Sequence, residues 1–262
     1  MSLIFYSSYI PSEDKLFIGK EFLDKMLTDF NDSTICIGIQ VGSIDSWVKL
    51  IEEYIDKGLD IHYGKVSEDL YVNSDVSGFQ KALEIYCKEL NYKDFDGCVW
   101  FGHSKGVTSG NIGYHNFVMN YFWNRKTELE GNLKSNENVG SYGFYLSVIP
   151  KYGDSKINDI WKGYTDFNFP NKSMGYMYTN TFFITKKEPF LNVFKSIKND
   201  FFTKKLIGIS GVGDRYFFER DFIHFVDMQN LQPSFEEFSV NNVWQSINYS
   251  DYIKEIEIWK KN

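Results

Sequence analysis

Apolar positions in the first hundred residues switch between two spacings. Leu3 to Tyr6 is a short continuous apolar run, as a buried strand requires. Glu21 to Phe30 predicts a helix with Phe22, Leu23, Met26, Leu27 and Phe30 on one face. Thr34 to Val41 (TICIGIQV) is continuous and rich in β-branched residues, the pattern of a central strand covered on both sides. Helical spacing returns over Ile44 to Lys57, where Trp47, Val48, Ile51, Tyr54 and Ile55 coincide, and Gly58 follows as a left-handed stop. Leu59 to Tyr63 reads as a third short strand. Ser74 and Asp75 can cap a helix that buries Phe79, Ala82, Leu83, Tyr86 and Leu90. Asp96-Gly97 then turns into the apolar run Cys98 to Gly102.

The order β-α-β-α-β-α-β predicts an α/β fold with a mostly parallel central sheet and right-handed crossovers. Ligands of such sheets bind beyond the carboxyl ends of the strands, which puts the turn after the fourth strand at the site. The second half is less regular. Asn116 to Arg125 has helical spacing, with Phe117, Val118, Tyr121 and Phe122 on one face, and Tyr121 and Trp123 read as core. Lys126 to Tyr142 is polar and reads as a loop. Gly143 to Ile149 and Asn180 to Thr185 read as strands. Pro189 suits the first turn of a helix carrying Phe190, Val193, Phe194, Ile197 and Phe201. Gly208 to Gly213 is a glycine-rich loop, and Asp214 can cap a helix over Arg215 to Val226. With no internal repeat or linker, residues 1–262 read as one domain of two lobes, 1–125 and 126–262.

Composition narrows the classes. Hydrophobic residues make 43% of the 262 and charged residues 24%, which suits a globular core rather than disorder. Aromatics reach 18%, beyond what most cores use, so some are candidates for stacking on a base or sugar. A net charge of −7 argues against a general nucleic-acid binder. Cys36, Cys87 and Cys98 lack CxxC spacing and read as buried free thiols of a reducing compartment. His62, His103, His115 and His224 show no HExxH or His-x-His spacing, so no zinc site is expected. The start MSLIFYSSYIPSEDK has no basic region before its short apolar run, and no apolar stretch approaches the roughly 20 residues of a membrane span. The expectation is a cytoplasmic protein.

Two chemistries compete for the turn Gly102-His103-Ser104-Lys105-Gly106. As a GxSxG elbow it would make Ser104 the nucleophile of an α/β-hydrolase, with Asp200 or Asp214 and then His224 completing a triad. Against that, the turn opens into VTSGNIGYHN rather than a packed helix, no HGGG-like segment follows an earlier strand, and His224 falls within a helix. As a diphosphate seat the same turn offers the Lys105 charge, the Ser104 hydroxyl, a His103 donor and glycines that admit close approach. A leaving nucleoside diphosphate needs such stabilisation of its developing charge.

CVWFGHSKGVTS followed by FVMNYFWNR resembles the strand, His-(Thr/Ser)-Lys-Gly turn and aromatic-rich helix of a group of GT-A-like glycosyltransferases of polysaccharide biosynthesis. The segments Tyr178 to Ile184 and Asp214 to Glu219 resemble that family's acceptor-side strand and Arg-and-Glu helix. The resemblance implies a GT-A-like domain, with a nucleotide-sugar-binding half over 1–125 and an acceptor-side half over 126–262. It implies hexosyl or deoxyhexosyl transfer from a UDP-, GDP- or dTDP-sugar to a glycan acceptor. It places the nucleoside at Tyr6, Ser7 and Ser8, and the diphosphate at His103, Ser104, Lys105 and Gly106. Asn180 and Thr181 would line the acceptor side. Glu219 would be the base of an inverting reaction, with Asp214 as a further carboxylate.

One departure bears on a metal. GT-A enzymes present Asp-x-Asp at this turn to hold a divalent ion, whereas the one Asp-x-Asp here, Asp94-Phe95-Asp96, precedes the strand. No metal ligand is assigned: His103 and Lys105 would replace the ion's charge, and metal dependence stays open. Plainer readings stand beside each role. Lys105 and His103 could be a solvated turn, Glu219 an exposed partner of Arg215 or Arg220, and Asp214 a helix cap. Asn180 and Thr181 could end a strand, Tyr6 to Ser8 could be an ordinary loop, and Asp94 and Asp96 a solvated turn. Beside the hydrolase, a non-catalytic carbohydrate- or nucleotide-sugar-binding protein on a transferase-like fold is the other alternative.

Overall fold

The computed structural model of the chain describes residues 1–72, 75–104, 107, 112–144, 146–149, 164, 175–178, 182–206 and 232–236. Strands β1 (Leu3–Ser8), β2 (Thr34–Ile39), β3 (Asp60–Lys65) and β4 (Val99–His103) run parallel. Phe5 of β1 pairs with Cys36 on one side and Phe101 on the other. The sheet continues through strands of the second half. These are β5 (Val139–Phe144), β8 (Phe183–Thr185) and β9 (Gln232–Glu236), in the seven-stranded order β3-β2-β1-β4-β8-β5-β9. Among the described strands of this sheet, β8 alone is reversed against its neighbours. Strands β6 (Leu146–Ile149) and β7 (Gly175–Tyr178) form a separate antiparallel ribbon. The protein is therefore α/β, with a mixed, mostly parallel sheet flanked by helices.

Strand alternation sorts the core into two layers. Leu3, Phe5, Cys36, Val99, Phe101 and Phe183 face α3 (Asp75–Glu84), α6 (Lys187–Phe194) and α7 (Asp200–Thr203). Ile4, Tyr6, Ile35, Ile37, Trp100 and Ile184 face α1 (Leu16–Asp29), α2 (Asp45–Asp56), α4 (Ile112–Tyr121) and α5 (Lys126–Ser135). Full burial of each large apolar side chain contributes roughly 1.5–3 kcal/mol. The helix α2 ends as its sequence requires: Gly58 takes φ +98° and its N–H donates to the Ile55 carbonyl at 2.8 Å.

Helix α3 sits closest to the sheet. A Cβ on Gly38 of β2 would lie 1.8 Å from the Gly78 carbonyl oxygen, and one on Gly78 would lie 2.1 Å from Ser7 Oγ. Two facing glycines thus let the helix backbone touch β1 and β2, which brings Asp75, the first residue of α3, to their carboxyl ends.

Several expectations change. The segment from Lys126 is not a loop: it forms α5 and then β5 from Val139. Its polarity hides a narrow buried stripe, Leu129 and Leu133 one helical turn apart. Beside them the buried carboxylate of Glu130 accepts from Ser2 Oγ at 2.7 Å and Trp100 Nε1 at 3.0 Å. Trp123 is buried, but Tyr121 is 45% exposed and is not core. The run from Gly143 is divided between β5 and β6 rather than being one strand. The helix begun at Asp75 widens into a π-turn over Ile85–Glu89, and Asn91 and Tyr92 then take positive φ of 47° and 56°. Pro189 lies third in α6, which stops at Phe194, and Phe201 is buried from the separate α7. The expected loop at Gly208 to Gly213 and the helix over Arg215 to Val226 lie outside the described residues.

Candidate functional site

From β1 the chain moves outward to β2 and β3, then returns across β1 to lay down β4 on its other side. The carboxyl ends of β1 and β4 are therefore neighbours at the point where the strand order reverses, the usual ligand crevice of an open α/β sheet. Ser7 pairs with His103 in this register.

Ser104 ties the two strand ends together. Its N–H donates to the Ser7 carbonyl at 3.1 Å. Its hydroxyl accepts the Tyr9 N–H at 2.7 Å and donates to the Tyr9 carbonyl at 3.2 Å. The two serines of β1 point to opposite faces, as strand geometry dictates. Ser7 Oγ donates to the Asp75 carbonyl at 2.8 Å and accepts Gln40 Nε2 at 3.0 Å. Ser8 Oγ accepts Trp47 Nε1 at 3.0 Å and lies 3.4 Å from the Gly38 carbonyl. Both serines are fully buried and their hydroxyls are paired within the fold, so they brace the strand ends and, contrary to the sequence expectation, present no surface to a nucleoside. The turn after β1 is held further by Ser43, whose hydroxyl accepts the Ile10 N–H at 3.2 Å.

His103 is the titratable group at the centre. It is 5% exposed, its ring lies against Phe182 with centroids 4.8 Å apart, and its Nδ1 is 3.1 Å from Asp75 Oδ2. The Asp75 side chain is 34% exposed, so the pair reaches from the core toward solvent. A second histidine–carboxylate pair, His115 Nε2 to Glu21 Oε2 at 2.6 Å, joins α4 to α1.

Tyr6 takes a different place from the one its sequence position suggested. Its ring is buried on the α1 side and stacks on Phe22 at 3.7 Å, so it is floor and offers no face to a base. Burial, and secondarily the Asp75 charge, push its hydroxyl far above the ordinary tyrosine range. Lys105, Gly106, Asn180, Thr181, Asp214 and Glu219 lie outside the described residues, as do Ser74 and His224.

Sequence reading missed Asp75, Gln40 and Tyr9. Asp75 drew attention only as a cap, and its contact with His103 depends on the glycine approach of α3. Gln40, directly after β2, is a buried polar residue at a strand end, a signal available beforehand.

Asp94 and Asp96 lie before β4, at the opposite end of the sheet. Asp94 pairs with Lys187 at 2.6 Å and Asp96 with the Met1 amine at 2.8 Å, and both are solvated. Among the described residues no three His, Cys, Asp or Glu side chains gather as a metal would require. Asp94 and Asp96, each paired with a cation at the opposite end of the sheet, are not placed to hold an ion at the turn after β4. Among the described residues no helix is long and apolar enough to cross a membrane. No protein-family model matches the chain, and no curated protein sequence matches it.

Proposed function

We propose that the chain is a GT-A-like glycosyltransferase that moves a hexosyl or deoxyhexosyl group from a nucleotide sugar to a glycan acceptor. The observation that carries this reading is the meeting of the β1 and β4 carboxyl ends where the strand order reverses, with the His103–Asp75 pair at that point. Strand order 3-2-1-4 and a site at the switch point are what a nucleotide-binding half requires. The turn after β1, from Tyr9 onward, receives the nucleoside. His103 and Lys105 receive the diphosphate, and Ser104 holds the two walls at fixed spacing. Asn180 and Thr181 serve the acceptor, and Glu219, with Asp214 near it in sequence, is the base. The charge on the leaving diphosphate is offset by side-chain cations.

The hydrolase alternative is disfavoured by one observation. The Ser104 hydroxyl spends its proton on the Tyr9 carbonyl, takes the Tyr9 N–H, and is 8% exposed. A nucleophile needs its proton facing a base.

Crystals soaked with UDP, GDP or dTDP, with and without Mn²⁺, test the reading. Density between the turn after β1 and the His103 turn is the expected result. Diphosphate density at another place on the chain would remove the basis for it.

A further inference from the structure

Helices α1 and α4 cover the same face of the sheet, and the stripes they turn toward each other are polar. Glu21, Asp24 and Thr28 of α1 line one wall of a groove, and Asn116, Asn120 and Asn124 of α4 and the short turn after it line the other. Spacings of three and four residues put each set on one side of its helix, the place where a packed helix pair carries apolar residues. Here Met119 is the one apolar side chain of the lining, and a cavity of about 420 Å³ stands where a packed seam would be. The two walls are tied at the ends instead. His115 Nε2 lies 2.6 Å from Glu21 Oε2, and Lys126 Nζ donates to the Asp29 carbonyl at 2.8 Å.

The three asparagines are exposed, and the fold makes little use of them. Asn124 Nδ2 donates to Asn120 Oδ1 at 3.3 Å, and among the described residues no hydrogen bond joins any of the three amides to α1. Asparagine is a poor helix former, because its amide competes for backbone groups in non-helical geometry. Three of them in one stripe work against the helix, and a residue placed against its local preference marks a functional site. Across the gap the carboxylates are held in position. Lys20 Nζ donates to Asp24 Oδ2 at 2.6 Å, Tyr54 donates to Asp24 Oδ1, and His115 fixes Glu21. Each carboxylate still has lone pairs for a further donor.

Amides on one wall and carboxylate acceptors on the other complement a row of hydroxyls. A phosphate backbone is disfavoured by Glu21 and Asp24, since Lys25 is the one cation of the lining and is paired with Asp29 at 2.6 Å. An extended peptide needs pockets for alternate side chains, which Met119 alone does not supply. Among the described residues no three His, Cys, Asp or Glu side chains gather to hold a cation. From Asn116 to Asn124 the wall runs roughly 12 Å at 1.5 Å per residue, room for about two sugar rings.

We propose that the groove between α1 and α4 binds a neutral oligosaccharide through Asn116, Asn120, Glu21 and Asp24. The site lies on the helical flank, apart from the β1 and β4 strand ends, and does not depend on the nucleotide-sugar reading. In a chain that extends glycans it would hold the acceptor away from its reacting end.

The test follows the side-chain amides of the full chain by NMR during titration with cellotriose, maltotriose and mannotriose. Trigalacturonate and an uncharged Ala-Ser hexapeptide are the comparators. At least one neutral trisaccharide should shift the Asn116 and Asn120 amides with a Kd of about 1–10 mM, as suits an open groove with no aromatic platform. Asn116→Ala/Asn120→Ala should weaken binding about tenfold through the loss of two hydrogen bonds. Its thermal midpoint should equal or exceed that of the native chain, because alanine is the better helix former. The proposal is overturned if no neutral trisaccharide shifts these amides at about 20 mM, well above the expected Kd. Shifts from the hexapeptide or trigalacturonate alone overturn it too, and assign the groove to a peptide or an acidic glycan. A double variant that binds like the native chain, or that melts earlier, makes the amides part of the fold and removes the site. Failure of UDP to bind leaves the groove result standing.

Discussion

Ser104 and Tyr9 form a two-way hydrogen bond: the Tyr9 N–H donates to Ser104 Oγ at 2.7 Å, and Ser104 Oγ donates back to the Tyr9 carbonyl at 3.2 Å. One hydroxyl thereby satisfies both backbone groups of the residue that leaves β1. It ties the end of β4 to the residue that leaves β1 at the point where the strand order reverses.

Ser104→Ala should leave both Tyr9 groups without this partner. The expected cost is about 1 kcal/mol, because the two bonds are part-buried and water can replace some of what is lost. Urea unfolding reads the loss. Amide exchange at Tyr9 and Ile10 should quicken more than exchange in β2. A variant as stable as the native chain would mean that the turn after β1 does not depend on this tie.

Gly78→Ala should be more disruptive than its size suggests. The new methyl meets Ser7 Oγ at 2.1 Å and Ser7 Cβ at 2.8 Å, so α3 must move off β1. Overpacking of this kind costs about 1–3 kcal/mol. Adding Ser7→Gly removes both obstructing atoms and should recover part of the loss, a non-additivity that a double-mutant cycle measures. Gly58→Ala is the control: no atom lies within 4 Å of the new methyl, and its φ of +98° alone should cost about 1 kcal/mol.

Asp60 links stability to acid pH. Burial pushes its carboxyl up, but Lys93 and Thr34, each at 2.6 Å, and His62 at 3.0 Å outweigh burial and hold it below 3.8. A depressed carboxyl contributes stability above its unfolded value and loses it as pH falls through the folded one. Asp60→Asn should therefore be less stable than the native chain at pH 7, and the gap should close below about pH 4. Chemical unfolding at several pH values checks the sign. A gap that widens on acidification would contradict it.

Cys36, Cys87 and Cys98 are all buried. Burial pushes the thiols of Cys87 and Cys98 up to about 12, and drives that of Cys36 well above the ordinary value. Thiolate is the reactive form. The folded chain should resist iodoacetamide at neutral pH, and three equivalents should react after denaturation. Rapid labelling of the native chain by even one equivalent would place a thiol at the surface.

The parallel half of the fold was legible because its strands are short apolar runs separated by helices with broad apolar faces, such as Trp47, Ile51 and Tyr54 of α2. Helix α5 was not, because only Leu129 and Leu133 mark its buried side and Glu130 lies between them as an internal acceptor. Position along the chain identified His103 and Ser104 as strand-end residues. Their partners, Asp75 and Tyr9, are 28 and 95 residues away, and such contacts carry no local pattern. Tyr6 shows the reverse limit: a tyrosine near a strand end looks like a ligand platform, yet strand alternation turns it under α1 onto Phe22.

Titration of the full chain with UDP-, GDP- and dTDP-sugars, followed through the backbone amides, tests the central claim most directly. The account expects at least one donor to bind with Kd below about 1 mM and to shift Tyr9, His103 and Ser104 most. No binding to any donor, together with covalent labelling of Ser104 by a fluorophosphonate, would contradict it and assign the turn to a hydrolase.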